Sequence, residues 1–332
     1  MADVARRAGV ALSTVSHTLS GKRPISAEVR QRVLQAIEEL GYQPHALARA
    51  LATKQTRTIA LLYPSLTSEM TEPHLEFVSG VLQATTRKKY GLLLWTTPEG
   101  DQEVLHLLRQ GLVDGVVLME VRLDDPRVRV LREQHYPFTM IGHGTENEGI
   151  SFVDLDFEYA VHTCVDYLAD LGHKHLAFIS HSSKLFDLGT GYMVRSEKAF
   201  RQALAQRGLE GITRFCETNA QAGYEATQAL LDLDPAPTAM IVLNAWVGGG
   251  IIRAIHDRGL RIPEEISLVG ILSPHVAEMT VPLLTAIDFP YKAMGSMGAE
   301  LLLRQLEGET LSVQELLRPP LTIRQSSGSC PS

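Results

Sequence analysis

Between Ser13 and Gly21 the chain reads STVSHTLSG, five hydroxyl side chains and an imidazole within nine residues. Short donors and acceptors of this kind, gathered on one helical face, suit the base edges and phosphates of a nucleic-acid groove. At helical spacing Ser13, Thr14, Ser16 and His17 form such a face, while Val15 and Leu19, an i, i+4 pair, turn inward. Ser/Thr-rich stretches also serve as caps and turns, so nine residues alone leave both readings open. Elsewhere His143, His173, His175 and His181 raise metal chemistry, but only the pair in GHKH is close in sequence and no C-x-x-C accompanies it. The glycine-rich GHGT at Gly142 and GGG at Gly248 lack the spacing that cradles phosphate, and no G-x-S-x-G is present. No catalytic residue, metal ligand or cofactor is expected.

Three short helices must carry the Ser/Thr face. ADVARRAG places Val4, Ala5 and Ala8 together and stops at Gly9. STVSHTLSG follows, with Ser13 as its N-terminal polar residue and Gly21 as its stop. Ser26 caps EVRQRVLQAIEELG, whose stripe is Val29, Val33, Ile37 and Leu40 and whose terminator is Gly41. The first two helices are joined by Gly9-Val10-Ala11-Leu12, the pattern of a helix-turn-helix with a supporting third helix. Charge agrees. Residues 1–57 hold nine Lys/Arg against four acids, a net of +5, which leaves −12 on the other 275 residues of a chain whose total is −7. A basic head on an acidic body confines phosphate attraction to the surface meant for contact.

The remaining composition bounds the class. At 332 residues, 45% hydrophobic and 21% charged, the chain has the length of two or three globular domains. Cys164, Cys216 and Cys330 are odd in number and widely spaced, which fits a reducing compartment rather than a disulfide framework. No apolar run reaches the roughly 18 residues of a membrane span and no leader pattern opens the chain, so the cytoplasm is expected and a membrane partner is not.

From Thr58 onward short apolar runs alternate with amphipathic helices. Strands are expected at 59–63, 92–96, 115–119, 138–141 and 151–153, and again at 176–180, 240–243, 267–271, 284–287 and 321–323. Strand-helix repetition implies parallel sheets covered on both faces, two sets imply two subdomains, and ligands of such folds sit at the carboxyl ends of the strands. The expected architecture is a small all-α helix-turn-helix head plus an α/β core of two doubly wound parallel-sheet subdomains.

DVARRAGVALSTVSHTLSG, with VRQRVLQAIEELGYQPHALARALATKQTRTIALLYP after it, resembles the N-terminus of the LacI/GalR (lactose-repressor/galactose-repressor) family of bacterial transcription regulators. GLVDGVVL, ISFVDLD, LADLGHKHLAFIS, PTAMIVLN, IPEEISLVGI, LTAIDFPYKAMGSMGAELLL and LTIRQS extend the resemblance from about Ala2 to Ser326. It implies a head at 1–43, a hinge helix and linker at 44–57, a periplasmic-binding-protein-like effector and dimerisation core at 58–326 with crossovers near 155–160 and 285–290, and a tail at 327–332. It implies that Leu12, Ser13 and His17 read bases and that Thr14 and Ser16 lie near phosphates. In PHALARAL the hinge helix would push Leu51 into the central step of a symmetric operator, with His45 and Ala48 nearby. Eight residues fall below the ~12–15 at which an isolated helix becomes marginal, so this one should order only on DNA.

Three departures stand out. His17 occupies a position usually held by arginine, Ala11 one where a hydroxyl often meets phosphate, and Met1-Ala2-Asp3 lacks the capping Thr that precedes this Asp in relatives, which should weaken the first helix. The resemblance points to Arg195, Asn244 and Leu272 for the effector pocket, and Tyr192 and Trp246 are candidate stacking surfaces for it, with core packing as their alternative role. Here too the pattern shifts: Arg195 falls one place early before Phe200, Ala245 replaces an aspartate after Asn244, and Leu272 stands where a sugar-chelating carboxylate is common. Phe186 is a further candidate stacking surface.

The implied function is a DNA-binding regulator, expected to be a repressor, acting as a homodimer on a palindromic duplex operator under control of a small molecule such as a sugar or sugar derivative. Two other readings stay open: a small-molecule-binding protein with a non-functional head, and an enzyme of the doubly wound class, which no nucleophile-base constellation supports.

Overall fold

The computed structural model describes residues 1–20, 23–41, 55–63, 72–96, 101–310 and 312–331. The hinge-helix residues His45, Ala48 and Leu51 lie outside them.

The head is three helices, α1 (Ala2–Ala8), α2 (Leu12–Ser20) and α3 (Ala27–Glu39). Gly9 ends α1 in the left-handed region, at φ 64°, where glycine avoids a Cβ clash. Met1 supplies no side-chain cap, and the first turn closes on its carbonyl through Ala5 N at 2.9 Å. Ser26 Oγ accepts from Val29 N at 3.4 Å and opens α3. Val4, Ala5, Ala8, Val15, Val33 and Ala36 form the head's core, with Val10 and Ile37 against it. Arg32 donates to the carbonyls of Ala8 and Gly9, tying α3 to the end of α1. Two expectations are corrected. The helix α2 starts at Leu12, one residue before Ser13; and Leu40, past the end of α3, is exposed, the buried stripe using Ala36 instead.

The core holds twelve strands among the described residues. The first sheet contains β1 (Thr58–Tyr63), β2 (Gly91–Thr96), β3 (Gly115–Leu118), β4 (Phe138–Ile141), β5 (Phe152–Leu155) and β11 (Gln314–Leu317). The second contains β6 (His175–Ser180), β7 (Glu210–Phe215), β8 (Ala239–Val242), β9 (Ser267–Leu272), β10 (Thr285–Asp288) and β12 (Leu321–Thr322). Their orders, β11-β5-β4-β3-β1-β2 and β12-β10-β9-β8-β6-β7, repeat one another position by position. All pairings are parallel except β10 with β12, which is antiparallel. The chain changes sheet after β5, after β10 and again between β11 and β12.

Alternation along each strand feeds two faces, as a doubly covered sheet requires. Ile59 and Leu61 join an apolar cluster that continues through Val161 and Val165 to Phe178 of the second sheet, whereas Ala60 and Leu62 pack on the other side with Leu107 and Leu131. The helices Glu72–Arg87 and Tyr291–Leu306 meet at glycines. A Cβ on Gly80 would lie 2.0 Å from the Lys292 carbonyl oxygen, and one on Gly295 2.3 Å from that of Phe77. The C-terminal residues are tied in as well: Ser326 Oγ donates to Leu268 O at 2.6 Å, and Gly328 N to Ser267 Oγ at 3.0 Å.

Candidate functional site

On the head, Val15 is fully buried and the residues beside it on α2 are open to solvent in whole or in part. Leu12 is 53% exposed and Ser13 is exposed, with Thr14, Ser16 and His17 partly exposed beside them. Thr18 spends its hydroxyl inside the helix on Thr14 O at 2.8 Å. Leu12, Ser13, Ser16 and His17 thus share the open side of the second helix of a helix-turn-helix, the side that enters a major groove in such motifs.

In the core, a cavity of about 680 Å³ opens between the carboxyl ends of the two sheets, within the range of small-molecule sites. Tyr63 ends β1, Glu120 follows β3, Gly142 follows β4 and Asp154 lies on β5; His181 follows β6, Thr218 follows β7 and Leu243 follows β8. Both sheets therefore contribute their strand ends to one space.

Two polar groups organise it. At one side Asp154 Oδ2 receives Arg195 at 2.7 Å and contacts His143 Nδ1 at 2.8 Å, while Arg195 also donates to His143 O at 3.0 Å. Arg195 comes from the helix Gly191–Arg207 beside the second sheet and Asp154 from the first, so this buried pair joins the subdomains. Burial pulls the Arg195 guanidinium below its ordinary value and Asp154 opposes that. Backbone bonds run beside it, Leu123 N to Gly189 O at 2.8 Å and Gly191 N to Val121 O at 2.9 Å.

At the other side His74 stands between Tyr63 OH, 3.3 Å from Nδ1, and Glu120 Oε1, 3.0 Å from Nε2. A neutral imidazole satisfies both contacts, accepting from the phenol and donating to the carboxylate. Glu120 sits at φ 48°, a region non-glycine residues seldom occupy. The buried Arg127 holds it there by donating to the carbonyls of Met119 at 3.0 Å and Glu120 at 3.2 Å. Burial alone would push the Asp125 carboxyl up, but Arg127, at 2.7 Å, and backbone donors hold it below the usual range.

Across from Glu120 are His181 and Tyr192, their rings edge to face at 5.7 Å. Enclosure pushes the His181 imidazole down to about 4, against the pull of Glu120. Burial, reinforced by Glu120, drives the Tyr192 phenol well above its ordinary value. Both groups are neutral at physiological pH.

Of the residues named from sequence, Tyr192, Arg195 and Trp246 line the cavity, Trp246 with 46% of its surface open. Asn244 lies behind the wall, fully buried, accepting from Trp246 N at 3.3 Å and donating to Thr218 Oγ1 at 3.4 Å. Leu272 belongs to the apolar cluster of Ala177, Ile179 and Met240 and is not part of the lining. Phe186 packs on Phe215 at 4.9 Å, also outside it. Sequence reasoning missed Tyr63, Glu120 and Asp154, whose only signal was position at the ends of expected strands, and His74, which lies in the first turn of the helix Glu72–Arg87 and carried no signal. His173 is bonded to Thr238, Ser267 and the Gly328 carbonyl. Among the described residues no group of His, Cys, Asp or Glu could hold a metal ion and no helix is long and apolar enough to cross a membrane.

A helix-turn-helix head ahead of two sheets that share one ligand-sized cavity defines a DNA-binding regulator with a periplasmic-binding-protein-like core. Residues 1–45 match the family described as bacterial regulatory proteins, lacI family, and residues 165–327 match a periplasmic binding protein-like domain. The chain is 31% identical to the HTH-type transcriptional regulator CelR of Thermobifida fusca over 333 residues, covering 97% of this chain and 96% of CelR. It is 29% identical to catabolite control protein A of Priestia megaterium over 340 residues, 98% of each chain. Among solved structures it is similar to a CelR-cellobiose complex, with a TM-score of 0.71, 29% identity and 98% of both chains covered. In fold it also matches the lac repressor dimer bound to operator and the anti-inducer ONPF, with a TM-score of 0.83, 24% identity and 98% of both chains covered. The protein belongs to the LacI family of bacterial transcription regulators.

Proposed function

We propose that the protein is a homodimeric repressor of a two-fold symmetric operator, released or tightened by a small molecule in the inter-sheet cavity. The observation that carries this reading is that one chain joins an outward Ser/Thr/His helix to a cavity whose two walls belong to different sheets. In this reading Leu12, Ser13 and His17 contact bases and Thr14 and Ser16 phosphates, within a head at 1–43. Residues 44–57 form the hinge and linker, with Leu51 of each copy as the wedge at the central minor-groove step and His45 and Ala48 nearby. Wedging costs a few kcal/mol of unstacking, offset by contacts the bent duplex allows. The core spans 58–326, with 327–332 as its tail.

Two half-sites need two heads, so symmetry calls for a dimer. Leu75 and Leu82, seven residues apart on the helix Glu72–Arg87, and Leu94 on the edge strand β2 are exposed apolar side chains that support a pairing face on the first subdomain. Tyr192, Arg195 and Trp246 are the proposed ligand contacts, with Asn244 supporting from behind; Leu272 is too deep to touch a ligand. A ligand that changes the approach of the two sheets changes the spacing of the hinges. A coupling of only ~1–3 kcal/mol then alters operator affinity severalfold to a hundredfold. The bound cellobiose of the CelR structure favours a sugar derivative as the ligand class.

Selection of a random duplex library by the purified protein tests the reading. A palindrome with a consistent central step is the expected result. Retention without sequence enrichment would replace it with a ligand-binding protein whose head no longer reads DNA. Histidine makes fewer bonds to guanine than arginine does, so His17→Arg should shift the selected half-site toward guanine at one position, by about 1–3 kcal/mol of discrimination.

A further inference from the structure

The charged groups around the cavity narrow the ligand further, on the reading of that cavity as the effector site. Its charged side chains among the described residues, imidazoles aside, are Glu120, Asp154, Glu217 and Arg195. Arg195 commits both terminal nitrogens, one to Asp154 and the other to the His143 carbonyl, and its Nε is buried without a partner. The guanidinium that would otherwise attract an anion is therefore neutralised by a buried carboxylate before any ligand arrives. His181 adds no positive charge, being neutral down to about pH 4.

Two acids are left. Glu120 uses Oε1 on His74, and its Oε2 has no hydrogen bond among the described residues. Glu217, on the opposite wall, makes no ion pair there. Between these acids the wall is aromatic, with Tyr63, Tyr192, Trp246, Phe289 and Tyr291 in the lining. Acid at both walls and aromatic faces between them is the environment that compensates a desolvated cation, through direct pairing and through the ring quadrupoles. An anion entering the same space would face the carboxylates of Glu120 and Glu217 and a guanidinium whose charge is already paired with Asp154.

We propose that the effector carries a positive charge, as an organic ammonium on a small polar or aromatic frame, with Glu120 as its principal counter-charge and Glu217 as the second.

The test uses the full-length protein and matched triplets that differ in one group: D-glucosamine, D-glucose and D-glucuronate for a sugar frame, and phenylethylamine, phenylethanol and phenylacetate for an aromatic one. Binding is read by tryptophan fluorescence, since Trp246 lies at the cavity, and by calorimetry. The amine of at least one triplet should bind tenfold or more tighter than its neutral partner, with the carboxylate weakest. Glu120→Gln should remove most of that preference, and Glu217→Gln, at an exposed site that leaves the fold alone, should remove part of it. An alcohol or carboxylate that binds as well as its amine, an amine preference that survives both variants, or no binding by any amine overturns the proposal. Operator binding measured with each compound separates the two claims. An alcohol that shifts operator affinity keeps the effector site and removes the charge, whereas an amine that binds without shifting it keeps the charge and removes the effector role.

Discussion

The two sheets of the core repeat one strand order, so their positions can be paired. Glu120 follows β3 where Asn244 follows β8, each two residues beyond a four-residue strand, and Asp154 on β5 corresponds to Ile287 on β10. The paired residues take opposite roles. Asn244 is fully buried and caps a short turn with its side chain; Glu120 is twisted into the left-handed region and lines the cavity. Ile287 packs in the apolar core, whereas Asp154 reaches across to Arg195. The fold thus supplies two equivalent rims, and which rim carries charge is decided by single residues at the strand ends.

The largest expected effect comes from breaking the asymmetry at Asp154. Arg195→Ala leaves a buried carboxylate without its guanidinium, and removing one partner of such a pair costs about 3–5 kcal/mol. Urea unfolding should show a loss of that order. Giving β5 the residue its counterpart has, as Asp154→Ile together with Arg195→Met, should restore most of the stability, because an apolar pair of similar size avoids the desolvation of both charges. A double variant as unstable as the single one would show that the pair organises the subdomains in a way apolar packing cannot replace.

A smaller effect is expected where the first subdomain depends on close helix approach. Gly295→Ala places a methyl 2.3 Å from the Phe77 carbonyl oxygen, a backbone atom that cannot yield by rotating. Overpacking of this kind costs roughly 1–3 kcal/mol, read as a lower melting temperature. Gly249→Ala, in the helix Gly248–Asp257 at a site with open space, should not destabilise the second subdomain and is expected to add a few tenths of a kcal/mol through helix propensity.

Much of the fold was legible because ten strands are short apolar runs, eight of them inside the sheets and two, β2 and β12, at edges. The exceptions, β7 and β11, are the two edge strands that also lack an apolar run: EGITRF opens with Glu-Gly and buries no residue fully, and QELL exposes three of four, whereas the edge strand β2 reads GLLLWT. A sheet edge needs few apolar side chains, so its pattern fades into that of a loop. The head was legible from its caps and glycines, with Leu40 the misplaced member, because a stripe continued past the last turn of α3 has nothing left to pack on. The cavity was half legible. All five residues named for it lie on the second subdomain, and the first-sheet rim was missed because the expected strand 151–153 stopped one residue short of Asp154. Nor does local sequence signal that Glu120 is held in an unusual conformation by Arg127 seven residues later, or that an arginine one place early would be pulled to a carboxylate on the other sheet.

The smallest effect tests the electrostatics between the rims. His181 titrates near 4 in the folded protein, chiefly through burial, and near 6.5 when unfolded. Between those values the unfolded chain takes up a proton that the folded chain refuses, so this residue makes stability fall as pH drops from about 6.5 toward 4 and contributes no pH dependence above that window. His181→Phe should flatten that part of the stability profile, and imidazole NMR of the wild-type protein should show His181 neutral at pH 5.5. Glu120→Asn, which copies the residue after β8 and tolerates the left-handed backbone, removes the acid that draws a proton toward His181 and should lower its titration further. An imidazole that titrates near 6.5 in the wild-type protein would mean that the walls do not exclude water from this end of the cavity, and the charged rim would then act through solvent rather than on the ligand directly.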